Sequence, residues 1–463
     1  MRLELGRSDG AKESLTVTFF KVLIFGWLIY FAAFLFAEHY VPGISLDFML
    51  HDNYGNGTND WFRDFFEVNR AAMWGNSYLE HGTYAGSCGN YPPLVLLIGK
   101  FFARFTPSIF LTLNYNELRL ETDSFAQRWI YFLFAAIILA CFSYVMGRYI
   151  RHNHGEISKD RFLPFSITAA VLLSYTMIFT FERGNYIYLA IISFLLFVVF
   201  YGKNDTVSAI SLAICACVKV YPVFFFAIFL MDKKYKPLLI GGGVGLAGLL
   251  LPMLALNGTF TEKLFGFIQG VFNFNKNSQA VANTQIPFYM IEQHSNSFSN
   301  IFRALSFAVV GRQYHGGFDG FLSVMSVISK IFSILLTAVG VVSFLFHKSF
   351  WKRCGIVLCL IVLLPSNTFD YMLTFFLPLL VMVLCLGEAK DRKYVILMTL
   401  LACVPKGFAF FDYRLDSSIQ TLLNPLILTT MMVLFLLDAV PEIKAFVHRF
   451  KGKKSRKRCA GCQ

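Results

Sequence analysis

Charged and aromatic side chains alternate in the segment Asp60–Arg70. Asp60 and Asp64 are four residues apart, so a helix would place both carboxylates on one face. A carboxylate held beside a hydroxyl group can accept its proton and so turn the hydroxyl into a nucleophile. The alternative is an amphipathic helix on a membrane surface, whose charges only face water. The segment therefore offers two candidate general bases, and the spacing alone does not choose between them.

Positively charged side chains follow at several later points of the chain. Arg183 and Asn185 lie in a short polar turn between two apolar runs, and Lys219 lies between two others. A buried ammonium is costly, so it pairs, reaches the membrane surface or lines a functional cavity. His294 and Arg303 belong to a later polar stretch and, like the others, are compatible with a simple solvated role. In a site, a cation such as Arg183 could receive an anionic headgroup.

A third polar position follows Pro365. There, Asp370 and Tyr371 lie at a predicted outer turn and are candidate site residues, and a helix cap is the alternative for Asp370. The chain has no HExxH motif and no paired metal-ligand spacing. The sequence is thus compatible with a divalent metal but supplies no ligand set. Phosphate-binding glycine loops of the nucleotide-binding folds are also absent, so an activated substrate would have to arrive from the membrane.

The composition excludes a water-soluble protein. Of 463 residues, 56% are apolar and 15% are charged, against about 25% charged in soluble domains. A soluble globule of this size must also present a polar exterior, so it cannot bury so much apolar surface. The net charge of +13 comes mostly from short loops that the positive-inside rule assigns to the cytoplasm. This pattern indicates a lipid bilayer as partner and does not indicate nucleic acid.

The lengths of the apolar runs predict an all-α, polytopic transmembrane bundle of about 12 spans, with surface-lying helices in a long first outer loop. The predicted spans are 16–37, 127–147, 163–181, 186–201, 206–218, 221–231, 237–256, 319–346, 354–364, 371–386, 393–404 and 419–438. Pro222 is expected to break the chain between two of them. We predict a multi-pass protein of the plasma (inner) membrane with both termini in the cytoplasm.

This topology divides the chain into three parts. They are a cytoplasmic N-terminus (1–15), a membrane domain (16–438) whose outer loops are about 38–126 and 257–318, and a basic cytoplasmic tail (439–463). Within the first outer loop, Pro92–Phe105 is predicted to be a helix at the outer surface. A span there would move the basic loop 148–162 to the outside, against the positive-inside rule.

Taken in chain order, several motifs resemble the GT-C class of membrane glycosyltransferases, and more closely family 87. That family includes mycobacterial polyprenyl-phosphate-dependent mannosyl- and arabinofuranosyltransferases. The matching motifs are Asp64-Phe65 with Ala71-Ala72, Gly75 and Tyr78; Tyr91-Pro92-Pro93-Leu94; Arg183-Gly184-Asn185; Lys219-Val220-Tyr221-Pro222; Asn296-Ser297 with Arg303; and Pro365 with Asp370-Tyr371. The resemblance implies an active site at the outer membrane face, a polyprenyl-phosphate-linked sugar donor and an Asp general base. It favours Asp64 over Asp60.

On this resemblance we expect an inverting transfer of a mannose- or arabinose-like sugar to an envelope glycan or glycolipid. The expected substrate-binding residues are Lys219, Arg183, Arg303 and His294 at the phosphate and Asn185, Asp370 and Tyr371 at the sugar. The chain departs from the family pattern at Val68-Asn69, where a Tyr is common, and at Glu182, and these departures concern the identity of the sugar. Two other classes stay open, a transporter or flippase for a lipid-linked or anionic substrate and a non-catalytic scaffold.

Overall fold

The protein is described here by a computed structural model, in which every regular element of the described residues is helical. The described residues are 9–40, 62–73, 78, 91–105, 125–153, 162–281, 295–310, 319–365, 368–406 and 420–459. Across these ranges there is no β-strand, so the all-α prediction is confirmed. Asp60 and His294 lie outside the described residues.

Seventeen α-helices occur in the described part of the chain. They are α1 (Asp9–Tyr40), α2 (Arg63–Met73), α3 (Pro93–Ala103), α4 (Phe125–Asn153), α5 (Phe162–Leu172), α6 (Tyr175–Glu182), α7 (Ile187–Phe200), α8 (Asp205–Val218), α9 (Phe226–Met231), α10 (Tyr235–Ala255), α11 (Phe260–Val281), α12 (Ser299–Val310), α13 (Asp319–Phe346), α14 (Phe350–Leu363), α15 (Phe376–Leu386), α16 (Arg392–Ala402) and α17 (Gln420–Cys459). Short 3-10 turns at Tyr221–Phe225, Asp370–Phe375 and Ala389–Asp391 precede α9, α15 and α16.

Five of these helices are long and apolar enough to cross a membrane, namely α1, α4, α10, α13 and α17. The pair α5 and α6 makes a sixth candidate if its bend of 50° is counted within one span. The 12-span arrangement is therefore not confirmed. Its other pieces are short. With 14 residues, α7 is about 21 Å long, which is less than the hydrocarbon thickness of about 30 Å.

Short apolar helices form the interior of the bundle. Nine of the fourteen residues of α7 are buried, and α7 packs against α8, which in turn packs against α10. The predicted break at Pro222 is confirmed, because α8 ends at Val218 and a 3-10 turn begins at Tyr221. A helix surrounded by other helices need not be as long as the bilayer is thick. Its apolar surface is buried against protein.

Ion pairs join several of the loops that the sequence assigns to the cytoplasm. Lys352 donates to Asp438 at 2.6 Å, and Arg353 pairs with Asp232. Burial opposes ionisation of Asp232, but hydrogen bonds from Tyr201 and Arg353 outweigh it and hold the pKa of this carboxyl below its ordinary value. The short loops predicted to share one side of the membrane thus meet at one end of the bundle.

Two helices extend beyond the sequence-based expectations. The last helix, α17, has 40 residues and continues without a break through most of the segment predicted as a cytoplasmic tail. The second, α11, lies within the predicted outer loop 257–318, where the sequence reasoning placed no long helix. A helix is present within the predicted segment Pro92–Phe105 as α3, and it packs against α2 and α10; its place at the outer surface stays a prediction.

Candidate active site

The turn between α6 and α7 holds the beginning of α2 through main-chain contacts. The Phe62 amide donates to the Glu182 carbonyl at 2.7 Å, and the Asp64 amide donates to the Arg183 carbonyl at 3.0 Å. Gly184 has φ +66°, and a Cβ built on it would lie 2.5 Å from the Phe62 Cα. The two backbones therefore approach each other as closely as only glycine allows.

This turn also binds the Asp64 carboxylate. Arg183 Nη2 donates to Oδ1 at 3.0 Å, and Asn185 Nδ2 donates to Oδ2 at 2.5 Å. The Asp64 residue is 7% exposed. A carboxylate oxygen has two acceptor positions, so each oxygen can still accept one more hydrogen bond. The arrangement orients Asp64 and leaves it able to accept a proton.

Aromatic packing fixes α2 against the bundle. The Tyr186 hydroxyl donates to Asn69 Oδ1 at 2.5 Å, and the Tyr186 ring stacks on Phe65 with centroids 5.4 Å apart. The Phe62 ring lies 4.6 Å from that of Tyr131. Contacts of Phe62 before Asp64, and of Phe65 and Asn69 after it, therefore fix the position of α2.

The helix face that Asp60 and Asp64 would share stays a prediction, because Asp60 lies outside the described residues. The helix α2 begins at Arg63, and Phe62 before it has φ +62°. A residue in the left-handed region cannot belong to a right-handed α-helix, so Phe62 is not part of α2. A bulky residue with this conformation is strained and persists only where its surroundings hold it, here the Glu182–Gly184 turn.

Lys219 lies between two aromatic rings. Its Nζ is 4.4 Å from the Tyr91 ring centroid and 5.2 Å from that of Tyr371. A cation over an aromatic face is attracted by the ring quadrupole. The Lys219 ammonium and the Asp64 carboxylate also interact electrostatically. Lys219 and Tyr371 are therefore neighbours, and their role as site residues stays a prediction.

Asp370 is the centre of a buried polar network. Tyr175 donates its hydroxyl to Asp370 Oδ2 at 3.1 Å, and Asn424 Nδ2 donates to Asp370 Oδ1 at 3.2 Å. Asn424 Nδ2 also contacts Asn296 Oδ1 at 2.8 Å. The network joins α6, α17 and the segments before α12 and α15. Sequence reasoning missed Asn424, whose only signal is an amide within an apolar helix.

The remaining predicted residues are not joined to Asp64 in the described structure. Arg303 lies on α12, is partly buried, and is not among the described partners of Asp64. His294 lies outside the described residues. Across the described residues, no group of three or more His, Cys, Asp or Glu side chains is placed to hold a metal ion. The described residues therefore show no set of metal ligands beyond what the sequence indicated.

Comparison with protein families identifies the class of this site. The sequence model of glycosyltransferase family 87 matches residues 90–364, more than half of the chain. The protein belongs to glycosyltransferase family 87. The predicted resemblance is confirmed, and this family 87 protein is a membrane glycosyltransferase that requires a sugar donor, an acceptor and a lipid bilayer. Comparisons with curated proteins and with solved structures give no match.

The family 87 match and the site geometry complement each other. Arg183, Asn185 and Lys219 lie inside the matched segment, whereas Asp64 and Asp370 lie outside it. Hydrogen bonds join Asp64 to Arg183 and Asn185 across 119 and 121 residues. The carboxylate before the matched segment is therefore held by two residues within it.

Proposed function

We propose that this glycosyltransferase moves a mannose- or arabinose-like sugar from a polyprenyl-phosphate donor to an envelope glycan or glycolipid. The observation that carries the proposal is the Asp64 carboxylate, oriented by hydrogen bonds from Arg183 and Asn185, with the Lys219 ammonium near enough to attract it. A general base and a cation in one site suit the displacement of a phosphate by a hydroxyl group.

The proposed reaction is a single displacement. The acceptor oxygen forms a bond to the anomeric carbon while its proton passes to Asp64. The bond between the anomeric carbon and the phosphate oxygen breaks on the opposite face, and its electron pair leaves with the lipid phosphate. Attack from the face opposite the leaving group inverts the anomeric centre.

Positive charge is needed where the lipid phosphate departs. Lys219 is the principal candidate, because its ammonium is only partly exposed and lies against the rings of Tyr91 and Tyr371. A phosphate that leaves as an anion requires charge stabilisation more than protonation. Arg183, Arg303 and His294 are further phosphate contacts in this proposal. Sugar hydroxyls would contact Asn185, Tyr371 and Asp370.

The proposed site opens to the outer face of the plasma membrane. Basic loops that meet at one end of the bundle would lie in the cytoplasm, and Asp64 belongs to the long loop predicted on the other side. The short apolar helices would complete the twelve crossing pieces by packing between the longer ones. Both termini would then be cytoplasmic. A divalent metal is not needed for this proposal.

The test compares Asp64→Asn with Asp60→Asn and a matched control, Asp205→Asn. Asp205 forms an ion pair with Lys234 at 2.7 Å, among the loops assigned to the cytoplasm. We expect Asp64→Asn to lower kcat for transfer from a radiolabelled polyprenyl-phosphate sugar by about 10²–10⁴-fold, and both other variants to keep activity. Thermal unfolding in detergent checks the fold of each variant.

Two results would contradict the proposal. Full transfer by Asp64→Asn, or its loss only in Asp60→Asn, would reject Asp64 as the base. Uptake of a lipid-linked substrate into vesicles by a purified protein that transfers no sugar would instead indicate a transporter.

A further inference from the structure

Tyr221 has a buried hydroxyl without a hydrogen-bond partner among the described residues. It begins the 3-10 turn that follows Lys219 by two residues. A hydroxyl group removed from water and left without a partner is unfavourable. Such an atom inside a functional site is a candidate contact for a ligand.

The surroundings of Tyr221 place this hydroxyl beside the site. Its ring packs edge-on against Phe375 with centroids 5.7 Å apart, and Phe375 belongs to the same 3-10 turn, Asp370–Phe375, as Tyr371. Tyr371 is the residue whose ring lies 5.2 Å from Lys219 Nζ. Tyr221, Tyr371 and Lys219 therefore form one cluster, the tyrosine–lysine cluster.

We infer that the Tyr221 hydroxyl donates a hydrogen bond to the phosphate of the lipid-linked donor and of the leaving lipid phosphate. The inference rests on the proposed polyprenyl-phosphate donor. A phenol buried among aromatic side chains is a hydrogen-bond donor to an anion, and the Lys219 ammonium supplies positive charge in the same cluster. A sugar hydroxyl would not require a cation so near, so the cluster fits a phosphate better.

The substitution Tyr221→Phe isolates this contact, because it removes one oxygen and keeps the ring packed on Phe375. The same change at Tyr149→Phe is the matched control. Tyr149 is buried on α4, and Lys203 from a predicted cytoplasmic loop lies over its ring at 5.6 Å. Affinity is measured on purified full-length protein with farnesyl phosphate, a short prenyl phosphate, and with farnesol, its uncharged counterpart.

We expect Tyr221→Phe to weaken farnesyl phosphate binding about 10- to 100-fold, as for loss of one hydrogen bond to a charged group. Farnesol binding should not change, and thermal stability should be equal or higher, because a hydroxyl without a protein partner has been removed. Tyr149→Phe should bind both compounds as wild type does. In transfer assays, Tyr221→Phe should raise KM for the donor more than it lowers kcat.

Unchanged farnesyl phosphate affinity in Tyr221→Phe would overturn the inference. Equal weakening of farnesyl phosphate and farnesol would overturn it as well, because Tyr221 would then contact the lipid and not the phosphate. Failure of the proposed function has a different signature: wild type binds farnesyl phosphate in a Tyr221-dependent way but transfers no sugar.

Discussion

Replacing Gly184 with Ala tests whether the close approach of two backbones positions Asp64. The new Cβ would lie 2.5 Å from Phe62 Cα and 2.9 Å from Phe62 C, where ordinary contact begins at 3.4 Å. Both atoms belong to the main chain and cannot turn aside as a side chain can. The segment before α2 would therefore have to move by about 1 Å to restore van der Waals contact.

The cost has two parts. Alanine at φ +66° costs about 1 kcal/mol in the left-handed region. Separation of the backbones also weakens the hydrogen bonds of Phe62 and Asp64 to the turn, each contributing about 1 kcal/mol. We expect a free energy of unfolding about 3 kcal/mol lower than that of wild type. Because misplacement of a reactive group by 1 Å can cost about 10²-fold in rate, transfer should fall by about that factor.

Gly202→Ala is the matched control. Gly202 has φ +77°, and no atom lies within 4 Å of a Cβ built there. This variant carries the same backbone strain without the clash, so it should lose only about 1 kcal/mol and keep wild-type transfer. Thermal unfolding in detergent and initial rates of sugar transfer measure the two effects. Equal stability and equal rates for the two alanine variants would refute the positioning role of the Gly184 contact.

Two further predictions concern the ends of the bundle. Asn424→Ala removes hydrogen bonds to Asp370 and Asn296. It should lower the free energy of unfolding by about 2 kcal/mol and also lower the rate of sugar transfer. Unaltered thermal unfolding would argue against the network. Asp232→Asn leaves Arg353 without its carboxylate and should cost about 2 kcal/mol without changing KM. Because the folded-state pKa of Asp232 is lowered, its stabilisation is present at neutral pH and is lost as acid titrates the carboxylate. An identical acid-unfolding profile in the variant would contradict this.

Helix positions followed closely from the sequence. The predicted run 206–218 corresponds to α8, and 319–346 corresponds to α13. Long apolar stretches bounded by charges or by Pro leave the backbone few other ways to satisfy its hydrogen bonds in a membrane. The number of membrane spans could not be predicted from the sequence in the same way. Length shows whether a helix can cross alone, but only packing shows that α7 lies inside the bundle.

The candidate site was predictable in residue type but not in pairing. Sequence motifs singled out Asp64, Arg183, Asn185 and Lys219, yet no local spacing joins Asp64 to residues more than a hundred positions later. Asn424 gave almost no signal, because one amide in an apolar helix has no periodicity. Its contacts arise only when α17 packs beside Asp370.

The sequence by itself determined a helical membrane protein with polar groups concentrated in particular turns, because the bilayer acts on each segment through its own hydrophobicity and length. The tertiary structure decided which of those turns meet. It placed Phe62 in a left-handed conformation against Gly184, bound the Asp64 carboxylate to Arg183 and Asn185, and put Lys219 between two tyrosine rings. Such contacts depend on the close packing of distant segments, which local propensity does not encode.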